Sequence, residues 1–263
     1  MPELPEVETI VRALQPICGA TIRGVRVLDR KLSLPSRSLI GERIASVSRR
    51  GKYIAIELES GRFLVVHLRM SGRLLRSCDQ VEARHTRFVL NLDRGEVLFV
   101  DSRRLGTVEC VEGAFPHEMG IDPLDAAFTR ERLSRILAAS RSPVKVLLMD
   151  QRWIAGLGNI YAAEALWGAK VDPRRRARDL APHEARVLHR AIREVLDQAI
   201  ARAGTSIGSG VSDFRPAAGR RGEFQEALCV YGREGGACPR CAGTVQRVKQ
   251  GGRSTYFCPG CQR

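Results

Sequence analysis

The sequence has few aromatic residues, no long apolar run and no export signal, and each absence argues against a class of function. Aromatic residues make up only 5% of the 263 residues, which argues against a single-strand nucleic-acid binder built on stacking platforms. No apolar stretch approaches the roughly 20 residues that a membrane-spanning helix needs. The first residues lack the positive charge and apolar segment of a secretory signal. We therefore expect a cytosolic chain with no membrane partner and with reduced thiols.

Acidic residues are also scarce relative to basic ones. There are 29 Asp and Glu against 43 Lys and Arg, a formal net charge of +14. Such an excess points to a polyanionic partner, most often nucleic acid, although a solvated basic surface has the same composition. The length allows two domains and a small module, and the 44% apolar content supports packed cores.

The N-terminus predicts a helix. Its apolar residues recur at i, i+3, i+4 and i+7, on one face: Val7, Ile10, Val11 and Leu14. Pro5 suits the first turn, and Pro16 and Gly19 end the helix.

Pro2 and Glu3 precede this helix and allow a second interpretation. If Met1 is removed, Pro2 becomes a secondary-amine terminus, and an α-amino group with a pKa of about 7.7–8 is partly neutral at pH 7. Such an amine can attack an aldehyde carbon and form an iminium, which acts as an electron sink. Taken alone, these two residues are equally compatible with a simple lead into the helix.

Short β-rich runs separated by turns fill Thr21 to about Val111, and they predict an antiparallel sandwich or barrel. Three basic segments lie between the runs, at 48–52, 69–73 and 101–106. Together they predict a phosphate-binding face. Met70 lies within one of them and is either a core plug or a wedge that enters a base stack.

A Pro- and Gly-containing linker, 114–125, precedes a helical region. Thr129 predicts one helix cap, Ser142 with Pro143 predicts another, and the wide apolar stripe over 187–200 predicts a core helix. Asn159, after a two-glycine turn, predicts the N-cap of helix 160–167.

That last helix start would offer N–H groups and a positive dipole end to a phosphate. The preceding Arg141, Lys145 and Arg152 favour this interpretation over an ordinary helical corner.

The glycine-rich stretch 204–222 has no periodicity, so we expect it to be functional or disordered. Of the eight cysteines, four are scattered along the chain and are predicted to be reduced and mostly buried: Cys18, Cys78, Cys110 and Cys229.

The C-terminal cysteines have metal-ligand spacing. Two Cys-x-x-Cys pairs, Cys238 with Cys241 and Cys258 with Cys261, are separated by 16 residues. This spacing predicts one structural Zn²⁺ held by four thiolates. The insert between the pairs predicts a basic β-hairpin with Arg253 at its tip.

Taken together, these motifs resemble the formamidopyrimidine-DNA glycosylase family over the whole chain. The likeness rests on several motifs that occur in the family's order: Pro2-Glu3-Leu4-Pro5-Glu6, Gly51-Lys52-Tyr53, His67-Leu68-Arg69-Met70-Ser71-Gly72, Asp101-Ser102-Arg103-Arg104, Gly156-Leu157-Gly158-Asn159 and the cysteine pairs.

The resemblance implies an α+β multidomain fold. It comprises an N-terminal antiparallel β-sandwich with a leading helix (1–115), a helix–two-turns–helix DNA-binding domain (126–225) and a zinc-finger β-hairpin (229–263). The implied function is a DNA glycosylase and AP lyase of base excision repair for oxidised purines. We expect a monomer that acts on damaged double-stranded DNA in the bacterial cytosol or nucleoid.

The resemblance also implies roles for individual residues. Pro2 would be the nucleophile and Glu3 a general acid, with Lys52 and Arg253 acting in β- and δ-elimination. Met70 and Arg103 would fill the space left by the flipped base, and Asn159, Lys52 and Arg253 would grip phosphates around it. The full set of implied DNA contacts is Met70, His85, Arg103, Arg104, Leu105, Arg141, Lys145 and Asn159.

Two positions depart from the family pattern. Ser102 stands where the family usually has Pro, and Leu105 where it usually has Phe. Leu105 is apolar but not planar, so we expect a weaker wedge beside the orphan base.

Two alternatives remain. An endonuclease VIII-like enzyme for oxidised pyrimidines usually has Gly at the position of Leu4, and a catalytically silent zinc-ribbon DNA binder has no need of a terminal Pro2.

Overall fold

The computed structural model describes residues 1–76, 85–113, 115–206 and 222–263. The chain forms two compact units, Met1–Glu118 with Ile200–Gln225, and Met119–Ala199 with Glu226–Arg263. Among the described residues, no helix is both long and apolar enough to cross a membrane. The predicted three-part division at 1–115, 126–225 and 229–263 stays a prediction.

The described part of the first unit forms a leading α-helix and two antiparallel sheets. Helix α1 spans Leu4–Leu14, with Pro5 in its first turn as predicted. The strands are β1 Ile22–Val27, β2 Ile44–Arg50, β3 Tyr53–Leu58, β4 Arg62–His67, β5 Gly72–Arg76, β6 Thr86–Leu92, β7 Gly95–Asp101 and β8 Thr107–Glu112. The two sheets have the orders β1-β6-β7-β5 and β2-β3-β4-β8.

The helix and both sheets share one hydrophobic core. Val7 and Leu14 of α1 belong to the same buried cluster as Ile56 of β3, Leu64 of β4 and Leu90 of β6. Burying these side chains gives about 1.5–3 kcal/mol each, which is the main force holding α1 on the sheets. The predicted antiparallel architecture and leading helix are confirmed.

The second unit holds four helices and a hairpin. Helix α2 spans Arg130–Ala138, α3 Val144–Leu148, α4 Asn159–Gly168 and α5 Pro182–Ala201, and strands β9 Gln246–Gln250 and β10 Arg253–Phe257 pair antiparallel. Thr129 caps α2 as predicted, because its side chain accepts from the Arg132 N–H at 3.1 Å. The apolar stripe of α5 is largely buried, through Leu188, Ile192 and Leu196.

Two predicted caps were placed one residue off. Pro143, not Ser142, occupies the N-cap position of α3, because Pro143 itself forms an antiparallel bridge with Arg176 and the Ser142 carbonyl accepts from the Ala177 N–H. Gly158, not Asn159, is the N-cap of α4, so Asn159 is its first helical residue.

The free thiols are less buried than predicted. Cys18, Cys110 and Cys229 are reduced but only half-buried. Cys78 and most of the stretch 204–222 lie outside the described residues.

Candidate active site and nucleic-acid interface

Strand register brings three connections to one edge of the first unit. Tyr53 at the start of β3 pairs with His67 at the end of β4, and His67 pairs with Thr107 at the start of β8. In the other sheet, Gly72 at the start of β5 pairs with Asp101 at the end of β7. The β2–β3 turn and the β4–β5 and β7–β8 connections therefore lie at the same end of the sandwich, called the active edge below.

Most of the site residues predicted in this unit lie on the active edge. They occupy the β2–β3 turn, the two crossing connections or the position just before β6: Lys52, Met70, Arg103, Arg104, Leu105 and His85.

Helix α1 points its N-terminus toward the same edge. Gln15 Nε2 donates to the Val47 carbonyl at 2.9 Å, and Arg49 Nε donates to Glu8 Oε2 at 3.0 Å. Helix α1 therefore runs antiparallel to β2. Beyond Arg49 the strand leads to Lys52, and before Glu8 the helix leads back to the buried Pro2 and Glu3, so both ends approach the same edge.

Lys52 lies in a two-residue turn and is only 7% exposed. Gly51 precedes it with a φ of +56°, a left-handed conformation that glycine adopts without steric cost.

Next to Lys52, His67 is held neutral. Its Nδ1 accepts the Arg69 N–H at 3.0 Å, and burial, followed by the charges of Arg69 and Lys52, lowers its pKa to about 4. In the neutral ring Nε2 then carries the proton, so His67 is a donor at this edge. His67 begins one of the sequence motifs, but the sequence alone assigns it no role.

Glu6 is a second residue whose role the sequence did not reveal. It is 1% exposed, and Oε2 accepts the Glu3 N–H while Oε1 accepts the Thr205 N–H, both at 2.8 Å. Gly204 has a φ of +78°, and a Cβ there would lie 2.7 Å from Glu6 Oε1. One buried carboxylate therefore joins the start of α1 to the chain at Thr205.

Two apolar side chains project from the active edge. Met70 is 42% exposed and Leu105 is 45% exposed, which excludes the core-plug interpretation of Met70 in this structure. The residues just before them, Arg69 and Arg104, have φ values of +50° and +56°. Non-glycine residues adopt this region rarely, at about 1–2 kcal/mol each, so the surrounding structure imposes it.

The charges around these side chains are mostly basic. Arg103 and Arg104 are exposed, and Arg104 Nε lies 3.4 Å from Asp29 Oδ2.

In the second unit, Lys145 brings Asn159 and the hairpin together. Lys145 is 0% exposed, and its Nζ donates to Asn159 Oδ1 at 2.5 Å and to the Ser254 carbonyl at 3.3 Å. Its ammonium group therefore orients Asn159, at the start of α4, beside the strand that begins at Arg253.

Arg253 lies directly after the hairpin turn. Gly251 and Gly252 form that turn with φ values of +52° and +75°, and exposed Arg253 pairs with Gln250. This agrees with the predicted hairpin and with Arg253 near its tip. Two positive φ angles match the type I′ turn that suits the twist of a hairpin.

Two further arginines differ in environment. Arg141 is exposed, whereas Arg152 is paired with Asp150 at 2.7 Å, which leaves it less suited to a phosphate.

The C-terminal cysteines form a metal-binding cluster. The four Sγ atoms of Cys238, Cys241, Cys258 and Cys261 lie within 4.8 Å of one another. The Cys238–Cys261 and Cys241–Cys258 Sγ separations are 3.8 and 3.4 Å. A tetrahedral Zn²⁺ with Zn–S bonds near 2.3 Å has sulfur separations of about 3.8 Å, so the residues fit zinc.

Two glycines lie close to this cluster. A Cβ at Gly243 or at Gly260 would lie 3.3 Å from Cys241 Sγ. A side chain at either position would make a tight contact that this sulfur relieves only by shifting a few tenths of an ångström.

Several contacts attach residues 229–263 to α4. Trp167 Nε1–H donates to Cys238 Sγ at 3.3 Å, and the Arg240 guanidinium stacks on the Trp167 ring at 3.9 Å. Buried Glu164 accepts the N–H groups of Cys229, Val230 and Tyr231 at 2.8–3.0 Å. Burial raises the pKa of Glu164 while these three donors oppose the rise.

Family models match almost the whole chain. Residues 1–108 match the formamidopyrimidine-DNA glycosylase N-terminal domain, residues 119–210 match the H2TH domain of the same enzymes, and residues 235–263 match the zinc finger found in FPG and IleRS.

Curated relatives align end to end. Formamidopyrimidine-DNA glycosylases of Pelotomaculum thermopropionicum and Chloroflexus aurantiacus are each 44% identical to the chain, covering all of it and 99% and 98% of their own lengths.

Solved structures give the same result. The MutM (Fpg) protein of Thermus thermophilus superposes with a TM-score of 0.90 at 42% identity, covering 99% of this chain and 98% of its own. Lactococcus lactis Fpg bound to DNA containing an abasic site scores 0.88 at 33% identity, covering 99% of both chains. The wild-type L. lactis Fpg bound to DNA containing N7-benzyl-Fapy-dG scores 0.88 at 34% identity, covering both chains fully.

Proposed function

We propose that the active edge carries out base excision and strand cleavage. The chain belongs to the formamidopyrimidine-DNA glycosylase family, whose members are base-excision glycosylases with AP-lyase activity. The substrate would be duplex DNA carrying 8-oxoguanine or a formamidopyrimidine. L. lactis relatives have been crystallised on DNA with formamidopyrimidine lesions and with abasic sites, which supports this substrate class over oxidised pyrimidines. The main support within the chain is that Lys52, the α1 N-terminus and two exposed wedges lie at one edge.

Pro2 is the proposed nucleophile. With Met1 removed, its nitrogen lone pair attacks the sugar C1′, and the bond from C1′ to the damaged base breaks as the base leaves with a proton. The nitrogen then loses its proton and the C1′–O4′ bond of the sugar ring breaks as O4′ takes up a proton, which leaves an iminium at C1′. The iminium makes the C2′ proton acidic. Loss of that proton expels the 3′ phosphate, and a second elimination expels the 5′ phosphate. No electron transfer is required.

Glu3 and Lys52 are the proposed proton-handling groups in this unit. Glu3 would act as a general acid at the sugar, and Lys52 would donate a proton or hold a phosphate during β-elimination. The near-complete burial of both side chains keeps bulk water from them and strengthens their interactions with the substrate. Arg253 would serve the δ-elimination.

Base extrusion is the proposed task of the exposed wedges. A base within a duplex cannot reach Pro2, so the nucleotide must be flipped out at a cost of a few kcal/mol. Met70 and Leu105 would enter the vacated space, and Arg103 would face the orphan cytosine. Leu105 covers less area than a Phe, so we expect weaker stacking beside that base.

The remaining predicted contacts are proposed phosphate and backbone ligands. Asn159 would bind a phosphate at the positive end of α4, oriented there by Lys145. His85, Arg104 and Arg141 would contact the backbone around the lesion. The four cysteines would hold one Zn²⁺ that fixes the hairpin and takes no part in the reaction.

The proposed setting follows from this task. The chain would act as a monomer on damaged double-stranded DNA, in the bacterial cytosol or nucleoid where that DNA lies. The functional division into a catalytic sandwich (1–115), a helical DNA-binding domain (126–225) and a finger (229–263) is likewise proposed.

The first experiment compares three duplexes that carry 8-oxoguanine, an oxidised pyrimidine or no lesion. Preferential excision of 8-oxoguanine followed by strand cleavage is expected. Preference for the pyrimidine would support the endonuclease VIII-like alternative. Binding to all three without cleavage would support the catalytically silent DNA binder.

The second experiment assigns the nucleophile. Borohydride should reduce the iminium to a stable protein–DNA adduct, which peptide mapping should place on Pro2. A residue left ahead of Pro2 turns its nitrogen into an amide and should abolish trapping. Lys52→Ala should slow turnover but should not abolish trapping. An adduct on Lys52 would make Lys52 the nucleophile instead.

A further inference from the structure

We infer that Asp101 is a positioning residue that holds the two wedge-bearing segments, Met70–Ser71 and Arg103–Gly106, as one unit. This inference rests on the proposed function, because it concerns how the enzyme opens a duplex. Asp101 itself lies beneath the active edge at 0% exposure, so it would act through the residues that it holds.

The carboxylate of Asp101 accepts hydrogen bonds from both segments. Oδ1 accepts the Ser71 hydroxyl and the Arg103 N–H, the latter at 3.1 Å. Oδ2 accepts the N–H groups of Leu105 and Gly106 at 2.8 and 2.7 Å. The Ser71 hydroxyl oxygen also lies 3.3 Å from the Arg103 nitrogen, so the two segments meet at this carboxylate.

Strand geometry explains why one side chain reaches both segments. Asp101 ends β7 and pairs with Gly72, the first residue of β5. The Met70 segment crosses from β4 to β5, and the Leu105 segment crosses from β7 to β8, so both change sheets beside Asp101. Neither segment has ladder bonds of its own at the crossing, and backbone donors without ladder partners need another acceptor.

The backbone beside the wedges is strained. Arg69 precedes Met70 and Arg104 precedes Leu105, and both have left-handed φ angles. Such angles persist only where the surroundings fix them. The bonds from Asp101 to Arg103 and Leu105 hold the residues on both sides of Arg104, and the bond to Ser71 fixes the residue after Met70.

The backbone around the Asp101 carboxylate is closely packed. A Cβ at Gly106 would lie 2.7 Å from the Phe99 ring and 3.3 Å from Asp101 Oδ2, and a Cβ at Gly72 would lie 2.5 Å from the Leu68 carbonyl. The backbone segments that carry Met70 and Leu105 are thus held together before DNA arrives. A wedge fixed in advance avoids the ordering cost that a loose loop would pay on insertion.

Asp101→Asn is the direct test, with Asp93→Asn as the matched control. The Asn side chain has one acceptor oxygen where the Asp101 carboxylate has two, and four donors need an acceptor. Its NH₂ group would also face backbone N–H groups of the Arg103–Gly106 segment, which are donors too. Asp93 lies on the same strand pair at the opposite end, in the exposed β6–β7 turn, and undergoes the same charge change.

Two activities are measured for each variant. One is single-turnover excision from an 8-oxoguanine·cytosine duplex, which requires base extrusion. The other is borohydride trapping on a single-stranded abasic oligonucleotide, which needs the Pro2 chemistry but no wedge. The ratio of the two rates is the readout, because partial unfolding lowers both activities equally.

Asp101→Asn is expected to lower the ratio by about tenfold to a hundredfold, since each buried bond lost to a charged acceptor is worth about a factor of ten. Asp93→Asn should leave it unchanged. Discrimination between cytosine and adenine opposite the lesion should also weaken in Asp101→Asn, because Arg103 loses its anchor. An unchanged ratio in a folded Asp101→Asn protein overturns the inference.

If Asp101→Asn does not fold, Ser71→Ala decides. This variant removes only the hydroxyl that joins the Met70 segment to Asp101 and leaves the three backbone donors in place. A duplex-specific loss of at least about threefold supports the inference, and a wild-type ratio overturns it. A wild-type protein that neither excises a lesion nor forms an adduct would instead refute the proposed function, independently of either variant.

Discussion

Glu6→Gln tests the carboxylate that joins the start of α1 to Thr205. Glu6 is 1% exposed and accepts two backbone N–H groups at 2.8 Å, from Glu3 and Thr205. Hydrogen bonds to a charged acceptor contribute about 1.5–3 kcal/mol each. Gln keeps one acceptor oxygen and presents an NH₂ group to the other N–H, so one bond is lost and one buried donor is left without an acceptor.

The expected loss of unfolding free energy is about 3 kcal/mol. For a chain of this size that lowers the Tm by about 6–12 °C, which thermal denaturation followed by circular dichroism measures directly. The reactive terminus should also shift, because Glu6 holds the amide of Glu3, the residue next to Pro2. A displacement near 1 Å can reduce rate by about a hundredfold, so borohydride trapping should slow by about tenfold to a hundredfold.

Glu8→Gln is the matched control on the same helix. Glu8 is 19% exposed and pairs with Arg12 and Arg49 at 3.0 Å. Each such pair contributes up to about 1 kcal/mol, so losing both lowers the Tm by up to about 4–8 °C. Neither pair holds the terminus, so trapping should stay near wild type. Equal losses of trapping rate in the two variants, or a Glu6→Gln protein with wild-type Tm and trapping rate, would refute the reasoning.

Three further predictions concern the metal, the partner and pH. Cys258→Ser should lose zinc and weaken DNA binding while the sandwich stays folded, with Cys110→Ser as the control; metal analysis that finds no zinc in active protein contradicts it. DNA affinity should fall with salt at a log–log slope of roughly −0.9 per neutralised phosphate, and Lys52→Ala should flatten that slope by about one unit; a salt-independent binding constant removes the electrostatic basis. The pKa of His67 is about 4 in the folded chain against about 6.5 when unfolded, so the unfolded chain takes up an extra proton between these values. Stability should therefore fall by about 3 kcal/mol as pH drops from about 6.5 to about 4, and denaturant unfolding of His67→Gln should lack this component; an equal pH dependence in the variant contradicts the assignment.

Local sequence patterns predicted most elements because local energetics determine them. The i, i+3, i+4 spacing of Val7, Ile10 and Val11 gave α1, and the Thr129 hydroxyl gave the start of α2. The cysteine spacing gave the metal cluster, since two Cys-x-x-Cys knuckles have few ways to place four sulfurs together. These features depend on neighbours close in sequence.

Long-range partners escaped prediction because no local pattern records them. Glu6 resembles any acidic residue in a first helical turn, yet its partner is Thr205, 199 residues away. Lys145 resembles a surface cation near a helix start, yet it is buried against Asn159 and Ser254. The N-cap of α4 was predicted at Asn159 but is Gly158, because Gly158 adopts the extended backbone conformation of an N-cap and Asn159 is already helical. Burial and long-range pairing decided each of these cases.

The contact between Trp167 and Cys238 allows the zinc finger to be followed by tryptophan fluorescence. The chain has two tryptophans: Trp153 is 40% exposed, whereas the Trp167 indole N–H donates to a zinc-ligand sulfur and its ring carries the Arg240 guanidinium. Charge at that sulfur and a cation over the ring both act on the excited indole, so the emission of Trp167 should change as metal enters or leaves. Replacing Trp153 with Phe would leave Trp167 as the single indole fluorophore. Metal exchange, finger unfolding and DNA docking at the hairpin would then each be followed in real time without an added dye.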